Sequence, residues 1–317
     1  MKKVMIIVAV ALLILGAVVC VAAAASMHFD FKKMDNGSYE TNTYAVKEKF
    51  SSISIDVTTE KISFKPSNDG KCTVVCLEEE NLKHEVSVSG GTLMIKEKDE
   101  RKWNNHFGFY TRTPEITVYL PENSYAGLTI KTDTGDIKIP ADFSFESISI
   151  KGDTSDVECF ASVENELKIA LSTGDIDIAG ISAGSMDLKV STGRIFAESV
   201  RCAGDVSANV STGKVELKDV TCAGLTSTGS TGKVYLKNVV ASDSFNITRS
   251  TGDIDFDGCD AGTIYVKTST GDVKGTFLSD KTVFAEIDTG KVKVPKSVSG
   301  GKCEITTDTG DIEIEIG

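Results

Sequence analysis

A five-residue phrase, Ser172-Thr173-Gly174-Asp175-Ile176, returns in variants every 19 or 20 residues along much of this 317-residue chain. Its glycines are Gly135, Gly174, Gly193, Gly213, Gly232, Gly252, Gly271, Gly290 and Gly310, and Ser155 takes the glycine slot in one further copy. Self-similarity at a short fixed period marks a solenoid, in which each unit is too short to fold alone and buries its apolar face only against its neighbours. That constraint decides the fold class before any other feature is considered.

Counted from its glycine, each copy has Thr at the preceding position, from Thr134 to Thr309. Two positions after the glycine stands Val or Ile, as in Ile137, Val157, Ile176, Ile195, Val215 and Val234. Apolar residues also recur at minus three and minus five, as in Leu171 and Ile169. Each copy therefore reads as two alternating strands that meet at Thr-Gly, followed by a looser return. Glycine belongs at such a corner because only it reaches positive φ at low cost. Each inward Val or Ile contributes about 1.5–3 kcal/mol when fully buried. Strict alternation places the threonines on the inward face, as a hydroxyl ladder. The expected fold is all-β, a single-stranded right-handed β-helix of 19–20-residue repeats behind an N-terminal transmembrane segment.

The chain divides into residues 1–26, an anchor or signal peptide; 27–43, a spacer; 44–126, an irregular β part of the solenoid; and 127–317, the regular repeats. In the irregular part, Val86 and Val88 before Gly90-Gly91, then Leu93 and Ile95, give a hairpin signature. Val57-Thr58-Thr59-Glu60-Lys61-Ile62 reads as a degraded copy with Glu60 in the glycine slot. Three inward slots carry unusual residues: Arg249 in one copy, and the small pair Ser227 and Gly229 in the copy before it. The last copy, Asp308 to Ile312, runs almost directly into the C-terminus, so Glu313 and Glu315 are expected to guard an exposed edge.

Val4 to Ala25 is an unbroken run of 22 apolar and small residues behind Lys2 and Lys3. It is long enough to span a bilayer with the N-terminus inside. The alternative is secretion after cleavage at Ala23-Ala24-Ala25. Either way the body is expected outside the cytoplasm, with the membrane reached through residues 4–25. The formal charge of −12 argues against nucleic acid as a partner. Eight cysteines are expected to pack as reduced thiols. Cys202 and Cys222, at equivalent places in successive repeats, are the one pair whose side chains a disulfide could join. No cysteine spacing matches a zinc site, and His28, His84 and His106 do not accompany the cysteines in sequence.

Chemistry-bearing motifs are few. Asp133-Thr134-Gly135, Asp288-Thr289-Gly290 and Asp308-Thr309-Gly310 spell an aspartic-protease signature, but that reaction needs two such loops face to face, and copies in one solenoid run parallel. No nucleophile context or phosphate-cradling loop is present, so neither an enzymatic reaction nor a cofactor is expected. The residue after each glycine alternates in charged bands, and Asp156, Glu158, Asp175 and Asp177 crowd on rungs about 4.8 Å apart. Two readings stand for this patch: weak binding of a divalent cation through oxygen ligands, or a solvated acidic surface. Trp103, Phe107, Phe109 and Tyr110 form an aromatic stretch that either caps the core or anchors a partner.

Val118-Tyr119-Leu120-Pro121 leading into repeated Thr-Gly-Asp-Ile units, behind one N-terminal hydrophobic segment, resembles a bacterial family of unknown function labelled putative adhesin. The resemblance covers residues 44–317. It implies a single-stranded right-handed β-helix, and relatives include membrane-anchored accessory proteins of cell-envelope stress loci. The expected role is non-enzymatic, binding an envelope protein or surface glycan; the alternative is an accessory regulator of a membrane-embedded envelope-stress sensor.

Overall fold

The computed structural model describes residues 2–26, 38–99 and 112–317. Residues 2–26 form helix α1 (Lys2–Ser26). Among the described residues no helix is long and apolar enough to cross a membrane. From Tyr39 onward the described chain is strand and turn, joined in one 21-stranded sheet that winds as a stack of short coils.

The first strands are β1 (Tyr39–Val46), β2 (Ser52–Val57), β3 (Lys61–Pro66), β4 (Cys72–Glu79), β5 (Leu82–Ser89), β6 (Thr92–Asp99) and β7 (Glu115–Leu120). The repeats supply β8 (Ser124–Thr134), β9 (Ile137–Ile139), β10 (Ser144–Thr154), β11 (Val157–Cys159), β12 (Ser162–Ala179) and β13 (Ser182–Cys202). They continue through β14 (Val206–Thr231), β15 (Val234–Thr251), β16 (Ile254–Thr270), β17 (Val273–Phe277) and β18 (Lys281–Thr289). The last are β19 (Val292–Lys293), β20 (Gly301–Thr309) and β21 (Ile312–Ile316).

Every repeat strand pairs in parallel with its neighbours, and equivalent residues stack: Thr154 on Thr134, Thr173 on Thr154, Thr192 on Thr173. The position two after the glycine lies in the core from Ile137 to Val273 and again at Ile312. Val292 departs, 45% exposed, because its coil lies at the open end of the stack.

The glycine corner is a backbone contact. Gly193 has φ 145°, and a Cβ placed on it would lie 2.0 Å from the carbonyl oxygen of Gly174 in the coil before. Both conformation and space therefore demand glycine. Six residues later comes a second corner, at Gly180, Ser199, Asp219, Asn238 and Gly258, each with φ between 51° and 68°. Short polar residues tolerate this left-handed conformation, so no fixed letter marks it in the sequence.

Two expectations change. The threonines before the glycines are exposed, not inward, in all ten copies. Alternation slips at the corner: the residues two and one before the glycine both face out, and the inward residue is the one at minus three, such as Leu171 or Val190. Second, the last copy is not at the edge. Strands β20 and β21 lie between β16–β17 and β18–β19, so the chain folds back into its own stack, and Lys281–Lys293 forms the outer coil. The described cysteines, Cys202 and Cys222 included, are free and buried, as expected of reduced packing thiols.

The ends differ. At the N-terminal end β2 and β3 pair in parallel with β8 and β9 on one side and with β6 and β7 on the other. Beyond them β5, β4 and β1 add antiparallel strands that close the stack. In the middle, Arg249 is buried over Gly229, its register partner, and fills the space that the missing side chain leaves. Its guanidinium donates to Ser227 Oγ at 2.9 Å and to the Thr248 carbonyl at 3.0 Å. Burial pulls its pKa down to about 10.

The corner contact predicts a sharp contrast between glycines. Gly193→Ala is expected to lower stability by about 2–4 kcal/mol, since strain and a backbone clash combine. Gly127→Ala, where the nearest atom is 3.7 Å away, should be nearly neutral. Denaturant titration of both variants checks this, and equal effects would sink the corner argument.

Candidate functional site

The aspartate of the corner has a structural use in five copies. Asp156 Oδ1 accepts the backbone N–H of Asp175 at 2.8 Å, and Asp175 Oδ1 accepts that of Arg194 at 2.9 Å. The same bond recurs from Asp272 to Asp253, from Asp311 to Asp272 and from Lys291 to Asp311. An aspartate at this position thus satisfies a backbone donor of the next coil. The four carboxylates of the acidic patch are engaged in this way or by neighbouring cations. Lys138 contacts Glu158, and Arg194 reaches Asp177 Oδ1 at 2.8 Å and Asp175 Oδ2 at 3.3 Å. Burial, countered by Arg194 and helped by Asp175 and Glu158, leaves the Asp177 pKa above its ordinary value.

Trp103, Phe107, Phe109 and Tyr110 lie outside the described residues. A cleft of about 700 Å³ opens at the N-terminal end, walled by Phe50 and Tyr125, whose rings stack at 5.8 Å, and rimmed by Lys47, Lys49 and Lys71.

The structure also assembles a group that no sequence spacing showed. Glu60, at the first corner, turns its side chain into the N-terminal cap. Cys76 and Glu78 are two apart on β4 and share its inward face. His84 enters from β5, where the hairpin splays, and Glu78 Oε2 accepts the His84 backbone N–H at 2.8 Å. All four side chains are buried. His84 Nδ1 lies 2.6 Å from Glu78 Oε2, and Nε2 lies 3.2 Å from Glu60 Oε1. Among the described residues, Cys76, Glu78 and His84 are the set of His, Cys and acidic side chains whose donor atoms fall within 4.8 Å of one another.

Both carboxylates are held from behind. Asn42 Nδ2 and Tyr44 OH donate to Glu78 Oε1 at 2.7 and 2.8 Å. The backbone N–H groups of Thr58 and Thr59 donate to Glu60 Oε2 at 3.1 and 2.8 Å. Burial opposes charge on His84, but the Cys76 side chain and the two glutamates outweigh it and raise its pKa to about 10. Burial likewise raises the Cys76 thiol. For Glu60, burial pushes the pKa up, and His84 with the backbone donors brings it below the ordinary carboxylate value. The alternation of Cys76 and Glu78 was a usable sequence signal; the approach of His84 and Glu60 depends on the stacking order and was not.

The corner aspartates predict an acid dependence. The Asp311 backbone N–H, followed by Lys274, holds the Asp272 carboxyl below its usual range. A lowered folded pKa means that the stabilisation is complete above the unfolded value and lost as pH falls through the folded one. Acid titration should therefore show Asp272→Asn, which keeps the acceptor oxygen, to be less acid-sensitive than the parent; an unchanged acid limb would refute the role.

A comparison with curated proteins gives no match. Among solved structures, the chain is similar to a putative adhesin from Parabacteroides distasonis, at 13% identity and TM-score 0.48, covering 88% of this chain and 98% of that one. A putative adhesin from Parabacteroides merdae is 13% identical with TM-score 0.49, over 76% of this chain and 97% of that one. A putative lipid binding protein from Parabacteroides distasonis is 21% identical with TM-score 0.48, over 76% and 95%. The Toastrack DUF4097 family matches over residues 50–208 and 199–317. With its stacked coils and glycine corners, the chain belongs to the Toastrack DUF4097 family, a putative-adhesin family of unknown function with a β-helix-like fold.

Proposed function

We propose that this chain is a non-enzymatic β-solenoid, held outside the cytoplasm by residues 4–25, that binds an envelope or cell-surface partner along its outer corner. The observation that carries the reading is the file of exposed threonines, Thr134 through Thr270 in sequence order and then Thr309 and Thr289. The residue before each is Ser or Asp, so the corner presents a continuous double row of polar groups. Rungs about 4.8 Å apart offer evenly spaced donors and acceptors to an extended polar partner. The interior is filled by stacked apolar side chains, which leaves the outside of the rod as the surface for recognition. Residues 4–25 supply the tether on composition, an apolar run of membrane-spanning length behind two lysines.

The test uses the full chain in detergent and isolated envelope from its own cells. Co-sedimentation is expected for the parent and is expected to fall at least tenfold when Thr192, Thr212 and Thr231 are all changed to Val, with the thermal melt unchanged. Undiminished binding by the triple variant would remove the corner from the contact. No binding of the parent to any envelope fraction would overturn the reading, and crosslinking to a membrane-embedded sensor would replace it with a regulatory one.

A further inference from the structure

We propose that Cys76, Glu78 and His84 form a binding site for a divalent transition-metal ion, with zinc the best match, buried in the N-terminal cap. Donor type is the first argument. One thiol, one imidazole and one carboxylate make a mixed sulfur, nitrogen and oxygen set, which suits zinc and is unlike the all-oxygen surroundings of calcium or magnesium. Their donor atoms already converge within 4.8 Å without an ion.

Orientation is the second. A metal-bound imidazole ordinarily donates its other ring N–H to a carboxylate, which fixes the tautomer and the ring. With the ion on His84 Nδ1, Nε2 faces Glu60 Oε1 at 3.2 Å, and Glu60 is anchored by the Thr58 and Thr59 N–H groups. Glu78 is arranged likewise: Asn42 and Tyr44 occupy Oε1, and Oε2 points at His84. Glu60 is thus a positioning residue, and Cys76, Glu78 and His84 are ligands. Three protein donors leave the fourth tetrahedral position to water or a further ligand.

Charge is the third. Two buried carboxylates face a single histidine, and the half-buried Glu97 accepts the Thr58 N–H at 3.1 Å. Even a protonated imidazole leaves Glu60 and Glu78 with net negative charge away from water, which is costly. A divalent ion in place of the proton shared by Nδ1 and Oε2 and the proton of the thiol leaves the net charge unchanged and sets two positive charges in direct contact with the Glu78 carboxylate and the Cys76 thiolate. The two protons leave to solvent, and no oxidant or reductant is needed.

The site is closed to solvent, so loading is tested on the full chain produced in zinc- or cobalt-supplemented cells and purified in detergent. The expected result is one zinc per chain, and in the cobalt form a thiolate-to-cobalt absorption band. Both should be lost in Cys76→Ser and in Glu78→Gln and kept in Cys202→Ser. Glu60→Gln should retain the band while affinity for the ion, read by competition with a chelator, drops about 10–100-fold. Wild-type protein without metal, or a cobalt spectrum with no thiolate band, overturns the proposal; so does a band that survives Cys76→Ser. Should Cys76→Ser fail to fold, the wild-type cobalt spectrum decides alone.

Discussion

The contact between one coil's backbone carbonyl and the next coil's glycine is what the rest of this structure depends on. Gly213 and Gly232 illustrate it: a Cβ on Gly232 would lie 1.6 Å from the Gly213 carbonyl oxygen. That proximity lets consecutive coils stack in register, which buries the Val or Ile two residues on and lines up the strands on both sides. Dispersion and hydrophobic burial then act over every coil at once. The aspartate after the glycine completes the arrangement by accepting the N–H that the corner leaves for it, and charged residues border it on the outside. Stacking and corner chemistry are one constraint, expressed as Thr-Gly-Asp-Ile.

How much could be read from sequence follows from that constraint. The inward Val and Ile positions were legible because strand alternation holds between corners, and burial confirms them from Ile137 to Val273. The orientation of the threonines was not, because the corner inserts one residue into the alternation and turns Thr173 or Thr192 outward. The second corner was invisible, since Gly180, Ser199, Asp219 and Asn238 share a conformation but no residue type. Chain order also misled. The copy at Asp308 is last in sequence but is flanked on both sides in space, because the sequence repeat fixes the shape of a coil and leaves open which coil it stacks on.

The buried cluster was illegible for a related reason. Glu60, Cys76, Glu78 and His84 come from two strands and one corner of the irregular end, where antiparallel pairing replaces the repeat. No spacing rule for metal ligands applies when the chain reverses between them. Only Cys76 and Glu78, two apart on one strand, carry a local signal.

Departures from the repeat separate structural exceptions from functional ones. Ser155 replaces a glycine, and the inward position three residues earlier shrinks to Gly152, so the side chain fits, although Ser155 Oγ finds no hydrogen-bond partner. Arg249 enters the core, and its register partner shrinks to Gly229 while Ser227 supplies an acceptor. Each of these two exceptions is absorbed by a smaller residue beside it, as close packing requires. Glu60 is different. It too occupies a corner slot, but the surrounding chain answers with a histidine, a thiol, a second carboxylate and four donors directed at the outer oxygens. A packing repair needs volume alone. A set of polar groups brought from separate strands and aimed inward is the arrangement of a binding site, which is why the inference of a metal centre falls on Glu60's corner and not on the other two.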